Sequence, residues 1–599
     1  MDQQYRVLNE QILPQLEAEG IRLLFRHHWT EAVRAWAQRH FEETVLPVLT
    51  PVGLDPAHPF PTVINKSLNF MVTLRGRDAF GRSSRSAVVQ APRLLDRILP
   101  VPPEVSGREH DFVTLSGVIH ENVGQLFPGM DVTGCFQFRV TRNSDLWVDE
   151  EEVDDLLRAL KGELLRRNFG DGVRLEVNRD CPEDVWRFLL RKFELGEQDL
   201  YTVDGPVNMH RLLTLYDLVA RPDLKYRRFV PSTQADVAAA DDLFAVIRAR
   251  DVLLHHPFES FGPVVNFVKQ AARDPAVLAL KVTMYRTGTA SPVTDALIEA
   301  ARNGKEVTAV VELRARFDEE ANIDIATRLQ DAGVRVVYGV VGYKAHAKMI
   351  LVVRREGDGV RRYVHLGTGN YHMRTTRQYT DIGLLTCRRD IGADVHLIFQ
   401  LLTGLGRTKH LEKLLQSPFS LNARLLELIE AEIGHVRAGR PGSIQAKCNA
   451  LVDARIIAAL YRASRAGVTV ELIVRGPCAL RPGIPGVSDT IRVRSIIGRF
   501  LEHTRIYHFG GGGDPVTLCS SADLMPRNLH HRVEVAFPVE EPALRERVLA
   551  EGLSPYLADN TQAWELRADG SYARARPEED AAPFAAQIEL LRRLARYGG

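Results

Sequence analysis

The sequence lacks the features that mark several large classes of protein. Its six cysteines are scattered and include no Cys-x-x-Cys pair, which argues against a disulfide framework or a structural zinc site and favours a reduced, cytosolic protein. It has no run of 18 apolar residues, and its N-terminus does not combine a basic stretch with an apolar one. We therefore expect neither an integral membrane segment nor a signal peptide.

The chain also has little net charge and no familiar phosphate-binding loop. A formal charge of +1 gives no overall attraction to nucleic acids or membranes, so an anion site must be a local cluster of cations. Neither Gly-x-x-x-x-Gly-Lys-Ser/Thr nor Gly-x-Gly-x-x-Gly occurs, so a nucleotide would have to be held in another manner. At 599 residues and 45% hydrophobic content, the composition predicts a soluble protein of several domains.

Two histidines have matching surroundings. His346 is followed by an apolar stretch at 349–353 and then by Gly-Thr-Gly-Asn at 367–370. His503 is followed by an apolar stretch at 506–509 and then by Ser-Ser-Ala-Asp at 520–523. Each histidine thus precedes a strand-like run that is closed by a turn of small and polar residues.

A cation stands two residues after each of these histidines, Lys348 after His346 and Arg505 after His503. Because side chains at i and i+2 of a strand share a face, each imidazole and its cation are expected to point the same way. Two such halves would form a phosphate site with a histidine on either side. The spacing alone is weak evidence, since it also occurs at His372, His435 and His530.

The surroundings of the two histidines belong to an internal repeat. Residues 307–314 align without a gap with residues 468–475, and each segment follows an amphipathic helix that ends at Gly304 or Gly467. The order strand, helix, strand and histidine strand therefore occurs twice. A gene duplication with one half-site in each copy explains this pattern.

The distribution of strands and helices predicts an α/β protein of several domains. Alternating strands and helices in the repeats favour largely parallel sheets with helices on their faces. Helices are expected at 154–167 and 577–599. We predict four regions: a lone helix at 1–20 with Leu8, Ile12, Leu13 and Leu16 on one side, a mixed α/β domain at 21–232, and the two repeats at 233–414 and 415–599.

Three arginines follow predicted strands, where ligand crevices of α/β sheets form. They are Arg286, Arg316 and Arg475. Guanidinium groups at such a place would bind phosphate oxygens. The structural alternative is that they pair with nearby acids such as Asp318 or Glu319.

The two His-x-Lys-like halves resemble the phospholipase D superfamily, whose repeats read His-x-Lys-x-x-x-x-Asp. Here the Asp positions are Val353 and Gly510, and the second lysine is Arg505. The departures argue against a phosphodiesterase and favour a relative with altered chemistry.

Longer strings indicate that relative: the chain resembles class 1 polyphosphate kinases, which are built on duplicated phospholipase D-like domains. The strings that carry the resemblance are 247–254, 315–322, 344–348, 365–370, 474–476 and 520–523. The resemblance implies an α+β middle domain followed by two α/β repeats that form one active site between them. It also implies reversible transfer of the terminal phosphate of ATP to inorganic polyphosphate, with Mg²⁺.

The same resemblance implies roles for particular residues. His346 falls on the phosphohistidine position and His503 on the second catalytic histidine, while Tyr379 and Arg475 fall on nucleotide-binding positions. Arg286 and Arg316 fall on magnesium-site positions, although a guanidinium has no lone pair for a metal, so we expect them to bind phosphate oxygens that the ion also touches. Further candidates for the ATP and phosphate pocket are Lys348, Asn370, Arg505, Arg532 and Glu534.

The expected partners are ATP or ADP and inorganic polyphosphate, with no nucleic acid. By resemblance we also expect a cytoplasmic homo-oligomer, with peripheral membrane association as a further option. The family normally begins with a helical domain, and the helix at 1–20 is interpreted as its remnant. Two alternatives stay open: a phospholipase D-type phosphodiesterase, and an impaired polyphosphate-binding scaffold.

Overall fold

The computed structural model describes residues 1–54, 60–77, 81, 85–143, 170–286, 288, 291–315, 318–404 and 410–597. The chain divides into two compact units, Met1–Lys225 and Tyr226–Gly599. The predicted helix at 154–167 and the predicted site residue Arg316 lie outside the described residues. Within the described ranges, no helix has both the length and the apolar character needed to cross a membrane.

The first unit is a mixed α/β body, as the sequence predicts. It begins with a continuous helical stretch formed by Asp2–Val7, Leu8–Ile12 and Leu13–Ala18. Tyr5 and Leu8 are buried, whereas Ile12 is largely exposed, so the predicted apolar face of this helix is only partly correct. Within the described residues of this unit, the other α-helices are Glu31–His40, Pro103–Ser106, Leu115–Asn122, Glu183–Lys192 and Thr214–Leu218.

The described residues of the first unit form two sheets. The larger has six strands in the order Pro51–Gly53, Ser86–Gln90, Asn69–Arg75, Asp131–Arg142, Gly172–Asn178 and Leu200–Val203. The smaller has three, in the order Ile21–Leu23, His110–Thr114 and Ile98–Pro100.

The second unit contains two larger sheets, one for each predicted repeat. The first sheet follows the order Val252–His256, Tyr379–Thr386, Gly359–Gly367, Lys348–Glu356, Val277–Met284, Glu306–Val311 and Arg335–Val337, with Leu501–Glu502 added beside Tyr379–Thr386. The second follows the order Lys344–Ala345, Arg532–Pro538, Val516–Ser520, Ile506–Phe509, Ser443–Cys448, Thr469–Val474, Ile491–Ile496, Ala563–Leu566 and Tyr572–Arg574, with Leu415–Ser417 also paired to Arg532–Pro538.

The two sheets share one topology. In the first, Val277–Met284 pairs in parallel with Glu306–Val311 and antiparallel with Lys348–Glu356. In the second, Ser443–Cys448 pairs in parallel with Thr469–Val474 and antiparallel with Ile506–Phe509. In each sheet this set of three strands is followed by two more antiparallel strands. They are Gly359–Gly367 and Tyr379–Thr386 in the first sheet, and Val516–Ser520 and Arg532–Pro538 in the second. The shared order confirms the predicted duplication.

Capping residues and glycines set the limits of the equivalent crossover helices. Ser291 accepts a hydrogen bond from the Thr294 amide at the start of Pro292–Arg302, and Asp453 caps Ala454–Arg465 in the same way. Gly304 and Gly467 follow these helices with positive φ, where a side chain would be strained. The unit's remaining α-helices are Ala235–Ala239, Leu243–Ala249, Gly262–Arg273, Glu319–Asp331, Arg389–Thr403, Leu421–Arg437, Pro526–His530, Pro542–Gly552, Ser554–Ala558 and Ala586–Leu594.

The register of the repeat differs from the ungapped alignment. That alignment places Thr469 opposite Thr308, whereas the equivalent strands begin at Thr469 and Glu306. A shift of two residues keeps every side chain on the same face of a strand, so the apolar pattern could not reveal it. Arg475 therefore corresponds structurally to Glu312, the first residue after the strand in the other copy, rather than to Arg314.

The C-terminal helix is shorter than the helix predicted for 577–599. The helix spans Ala586–Leu594, and the strand Ala595–Tyr597 then pairs with Phe229–Pro231. Leu590 and Leu591 enter a core cluster that also contains Leu366 from the first repeat and Val535 from the second. The two repeats and this helix therefore share a continuous core.

Candidate active site

Each of the two histidines lies where the chain crosses from one sheet to the other. His346 is flanked by Lys344–Ala345, which pairs in the second sheet, and by Lys348–Glu356, which belongs to the first. His503 is flanked by Leu501–Glu502 in the first sheet and Ile506–Phe509 in the second. The prediction that both histidines are strand residues is therefore wrong. They occupy short breaks between strands, at the junction of the repeats.

Each histidine is hydrogen-bonded to a carboxylate from the other repeat. His346 Nδ1 lies 2.8 Å from Glu534 Oε2, and His503 Nδ1 lies 2.8 Å from Asp381 Oδ1. Glu534 and Asp381 are both the third residue of the last strand in their series, Arg532–Pro538 and Tyr379–Thr386. With Nδ1 held in this way, Nε2 of each ring is the nitrogen left to act on a substrate.

The small-residue turns hold these carboxylates. The Thr368 hydroxyl donates to Asp381 Oδ1 over 2.7 Å, and the equivalent Ser521 hydroxyl donates to Glu534 Oε2. Asn528 Nδ2 also donates to Glu534 Oε1 over 2.6 Å. The turns predicted from the sequence thus act on the acids that orient the histidines.

The two cations differ in their contacts. The Lys348 ammonium donates to the backbone carbonyl of His346, whereas Arg505 Nη1 lies 3.0 Å from Nε2 of His503. Arg505 is further fixed by Asp523, which its Nη2 contacts over 2.9 Å. Both cations are buried, together with the carboxylates of Glu534, Asp381 and Asp523.

Burial and these charges set the protonation of the site. Burial lowers the pKa of His346 well below its usual range, and the positive charges of Lys348 and Arg532 lower it further. Burial and then Arg505 lower the pKa of His503 against the opposing effect of Asp381. Burial also lowers the pKa of Lys348 to about 7. Both imidazoles are therefore neutral at neutral pH.

An aromatic ring lies beside each histidine. The Tyr285 ring contacts His346 edge-on with ring centroids 4.6 Å apart, and the Tyr379 ring is tilted against His503 at 5.4 Å. Tyr379 was predicted from the sequence, but Tyr285 was missed. Its position directly before Arg286, at the end of a strand, was the available signal.

Two other predicted residues, Arg475 and Arg532, are connected to the same junction, and a third, Asn370, ends the turn 367–370. Arg475 Nε donates to Asn449 Oδ1 over 3.1 Å, and Asn449 Nδ2 donates to the carbonyl of His503. The Asn370 amide oxygen is buried and has no hydrogen-bond partner within the described part of the chain. Arg532 lies opposite Lys344 in the paired strands and acts on the pKa of His346.

Of the two predicted magnesium-site residues, Arg286 lies among the described residues. Arg286 forms an ion pair with Asp318 at 2.9 Å, as the structural alternative predicts, and both side chains are partly exposed. Among the described residues, no group of three or more His, Cys, Asp or Glu side chains could hold a metal ion.

Asp381 is the functional residue that the sequence interpretation missed most plainly. The internal repeat could have revealed this residue. Segment 379–381 of the first repeat is equivalent to segment 532–534 of the second, so Asp381 is equivalent to Glu534. The matched surroundings of the two histidines end at the turns 367–370 and 520–523, whereas the two acids lie on the strands that follow these turns. Glu534 was found only through family resemblance.

Comparison with known proteins identifies the family to which the chain belongs. Family models match three consecutive regions: the polyphosphate kinase middle domain at residues 32–215, C-terminal domain 1 at 242–408 and C-terminal domain 2 at 414–587. The chain belongs to the polyphosphate kinase family. The three matches confirm the family resemblance of the sequence.

Relatives within the polyphosphate kinase family match nearly the full chain. The polyphosphate kinase of Pseudomonas aeruginosa is 54% identical over 99% of this chain and 86% of its own length. That of Burkholderia cenocepacia is 57% identical over 96% of this chain and 84% of its own. The crystal structure of the Porphyromonas gingivalis polyphosphate kinase aligns with a TM-score of 0.86 and 30% identity, covering 98% of this chain and 87% of that one.

Proposed function

We propose that this polyphosphate kinase transfers the terminal phosphate of ATP to polyphosphate through a phosphorylated His346. The observation that carries the proposal is the crossed pairing of His346 with Glu534 and of His503 with Asp381. It leaves Nε2 of a neutral, buried imidazole as the nucleophile. Proteins with the same family membership and more than half of their residues identical are named polyphosphate kinase.

In the first step, Nε2 of His346 attacks the γ-phosphorus of ATP. The N–P bond forms as the bond from phosphorus to the bridging oxygen breaks, and ADP leaves with that electron pair. Charge on the phosphoryl oxygens is stabilised by Lys348, Arg505 and Arg532, whose influence on the pKa of His346 indicates their closeness. Tyr379 and Arg475 are proposed to hold the nucleotide on the His503 side.

In the second step, a terminal oxygen of polyphosphate attacks the phosphohistidine and the N–P bond breaks. The chain is then longer by one phosphate, and His346 is neutral again. His503 lies across the junction with its Nδ1 hydrogen bonded to Asp381, so its Nε2 is proposed to hold or release the proton of the leaving or attacking oxygen. Both steps are reversible.

Magnesium is proposed to enter with the nucleotide, because this ion is usually bound through one or two carboxylates together with the phosphates of a substrate. When bound, the ion would neutralise charge on the phosphate oxygens. Arg286, which pairs with Asp318 in the structure, is proposed to bind those oxygens rather than the metal, because a guanidinium has no lone pair to offer. Arg316 is proposed to act similarly by its family position.

The test is labelling with γ-labelled ATP and Mg²⁺, followed by measurement of acid-labile protein label and of labelled polymer. We expect His346→Ala to remove both products. The matched control is His435→Ala, which removes another His-x-Arg histidine that lies on the helix Leu421–Arg437 and hydrogen-bonds Arg440. It should label like the unsubstituted chain. Label that persists in His346→Ala, or ATP-independent hydrolysis of a phosphodiester, would refute the proposal.

A further inference from the structure

A second buried ionic group lies directly beside the active site. Glu502, the residue before His503, is almost fully buried, and its Oε2 forms an ion pair with Lys447 Nζ at 2.6 Å. The Lys447 ammonium also lies 3.4 Å from the ring centroid of Tyr556. Buried charges need specific partners to be tolerated, so this group fixes its own geometry tightly.

Glu502 is connected to His503 through one hydroxyl group. Thr380 Oγ1 donates to Glu502 Oε2 over 2.9 Å and accepts from the backbone amide of His503 at 3.1 Å. Thr380 also lies between Tyr379, which contacts the His503 ring, and Asp381, which binds its Nδ1. The position of Thr380 therefore sets the position of His503 and of both neighbours of its ring.

The other oxygen of Glu502 is held from the C-terminal helix. Gln587, near the start of the helix Ala586–Leu594, donates from Nε2 to Glu502 Oε1. The same amide forms two hydrogen bonds with the backbone of Phe500: Nε2 donates to its carbonyl, and Oε1 accepts from its amide, each over 2.9 Å. One side chain thus fixes both the backbone and the carboxylate that lead into His503.

The first repeat handles the equivalent position differently. Thr283, which corresponds to Lys447 in strand register, donates its hydroxyl to the Ala347 carbonyl over 2.6 Å and accepts from the Met349 amide. The segment around His346 is thus held by a hydroxyl from its own repeat, and also by Glu312, whose Oε2 accepts from the Ala345 amide over 2.8 Å. Among the described residues, an amide from the C-terminal helix takes this role on the His503 side.

We infer that Gln587 is a positioning residue for the reaction, acting on His503 through Glu502 and Thr380. The helix Ala586–Leu594 is then part of the catalytic apparatus, although it contributes no group that touches the substrate. This inference rests on the proposed role of His503. Loss of the Gln587 amide would release Glu502 on one side and let the backbone at 500–503 move, so the imidazole would no longer face the substrate correctly.

The test is a double-mutant cycle between Gln587→Leu and His503→Ala, with the rate of acid-labile labelling from γ-labelled ATP as readout. We expect Gln587→Leu to lower the rate by at least about 10-fold in the otherwise unsubstituted chain. In the His503→Ala background the same change should alter the remaining rate by less than about 2-fold, because its target is already absent. The control is Glu589→Gln on the same helix, which removes only a surface ion pair with Arg592.

A second pair of variants covers the case in which Gln587→Leu does not fold. Thr380→Val removes the hydroxyl that joins Glu502 to the His503 amide, and Thr380→Ser restores it. We expect the valine variant to show the same loss and the same masking by His503→Ala, and the serine variant to recover most of the rate. Equal losses in both backgrounds, or no loss with Gln587→Leu, would overturn the inference. If His503→Ala itself causes no loss, the proposed role of His503 fails instead.

Discussion

The two half-sites of this polyphosphate kinase use the same plan with different chemical groups. On one side His346 is paired with a glutamate, Glu534, and on the other His503 is paired with the shorter Asp381. Equivalent hydroxyls, from Ser521 and Thr368, bind the two acids. The two halves therefore keep the same hydrogen-bonding pattern while differing in the length of the side chain that provides the carboxylate.

The cations differ in the same way. The ammonium of Lys348 reaches only the backbone of His346, whereas the guanidinium of Arg505 contacts the His503 ring and is held by Asp523. Lys348 therefore makes no hydrogen bond to the ring of His346, while Nε2 of His503 has a donor beside it. This fits a nucleophile on one side and an acid–base group on the other.

Substitutions of the two orienting acids, Glu534 and Asp381, should have the largest effects and should affect the labelling rate to different extents. In Glu534→Gln, the amide would present an N–H to Nδ1 and favour the wrong tautomer, so we expect acid-labile labelling to slow by about 10³- to 10⁴-fold. In Asp381→Asn, we expect a loss of about 10²-fold, in the range of a displaced acid–base group. Rapid-quench labelling measures both. Equal losses of labelling rate in the two variants would contradict the assignment of different roles to His346 and His503.

A single added methyl group should reproduce part of the Asp381 effect. A Cβ on Gly369 would lie 2.0 Å from Asp381 Oδ2, so Gly369→Ala must displace the carboxylate from His503. The equivalent residue in the other repeat is Ala522, where a methyl group is already present. We expect Gly369→Ala to lower the rate of polymer formation by about 10- to 100-fold.

The matched control for this change is Ala522→Gly, which removes a methyl group at the corresponding place and should leave the rate within about 3-fold. Polymer formation and acid-labile labelling are measured in both variants. Normal activity in Gly369→Ala would mean that Asp381 can move away without affecting His503.

The smallest expected effect is a change in pH dependence. Because the pKa of Lys348 is lowered to about 7, its charge is present below that pH and is lost as the pH rises through it. We therefore expect kcat/KM for ATP, which reports the free enzyme, to fall above about pH 7. Lys348→Arg places in this half the group that Arg505 provides in the other, and a guanidinium stays charged.

The arginine variant should therefore shift the alkaline limb of the profile upward by more than about one pH unit, even if the rate at the optimum falls. His435→Ala serves again as the unshifted reference. An alkaline limb at the same pH in Lys348→Arg would assign it to another group.

Much of the repeated fold and of the site could be predicted from the sequence, because these features depend on local patterns. The repeated order of strands, the two histidines and the turns at 367–370 and 520–523 all follow from periodicity and residue type. The crossed pairing could not be predicted in this way, because Glu534 and His346 are 188 residues apart. The partner of each histidine is decided by how the two sheets meet.

The errors have physical causes of the same kind. Strand alternation made His346 and His503 look like strand residues, but the chain changes sheets there and the hydrogen-bonding partner changes with it. The alignment of 307–314 with 468–475 was two residues out of register. A shift of two residues leaves every side chain on the same face of its strand, so the apolar pattern did not reveal the error. The role of Gln587 had no local signal, since its contacts lie at 500–502.

The crossed carboxylates also bear on how such a site can arise. Two identical single repeats related by a two-fold axis would each provide a histidine to one half-site and an acid to the other, so neither copy would be complete alone. Within one polypeptide that constraint of identity is lifted. The substitutions of Asp for Glu, Arg for Lys, and Lys447 for Thr283 mark the places where a symmetric ancestor, once fused, could become two unequal partners in a single reaction.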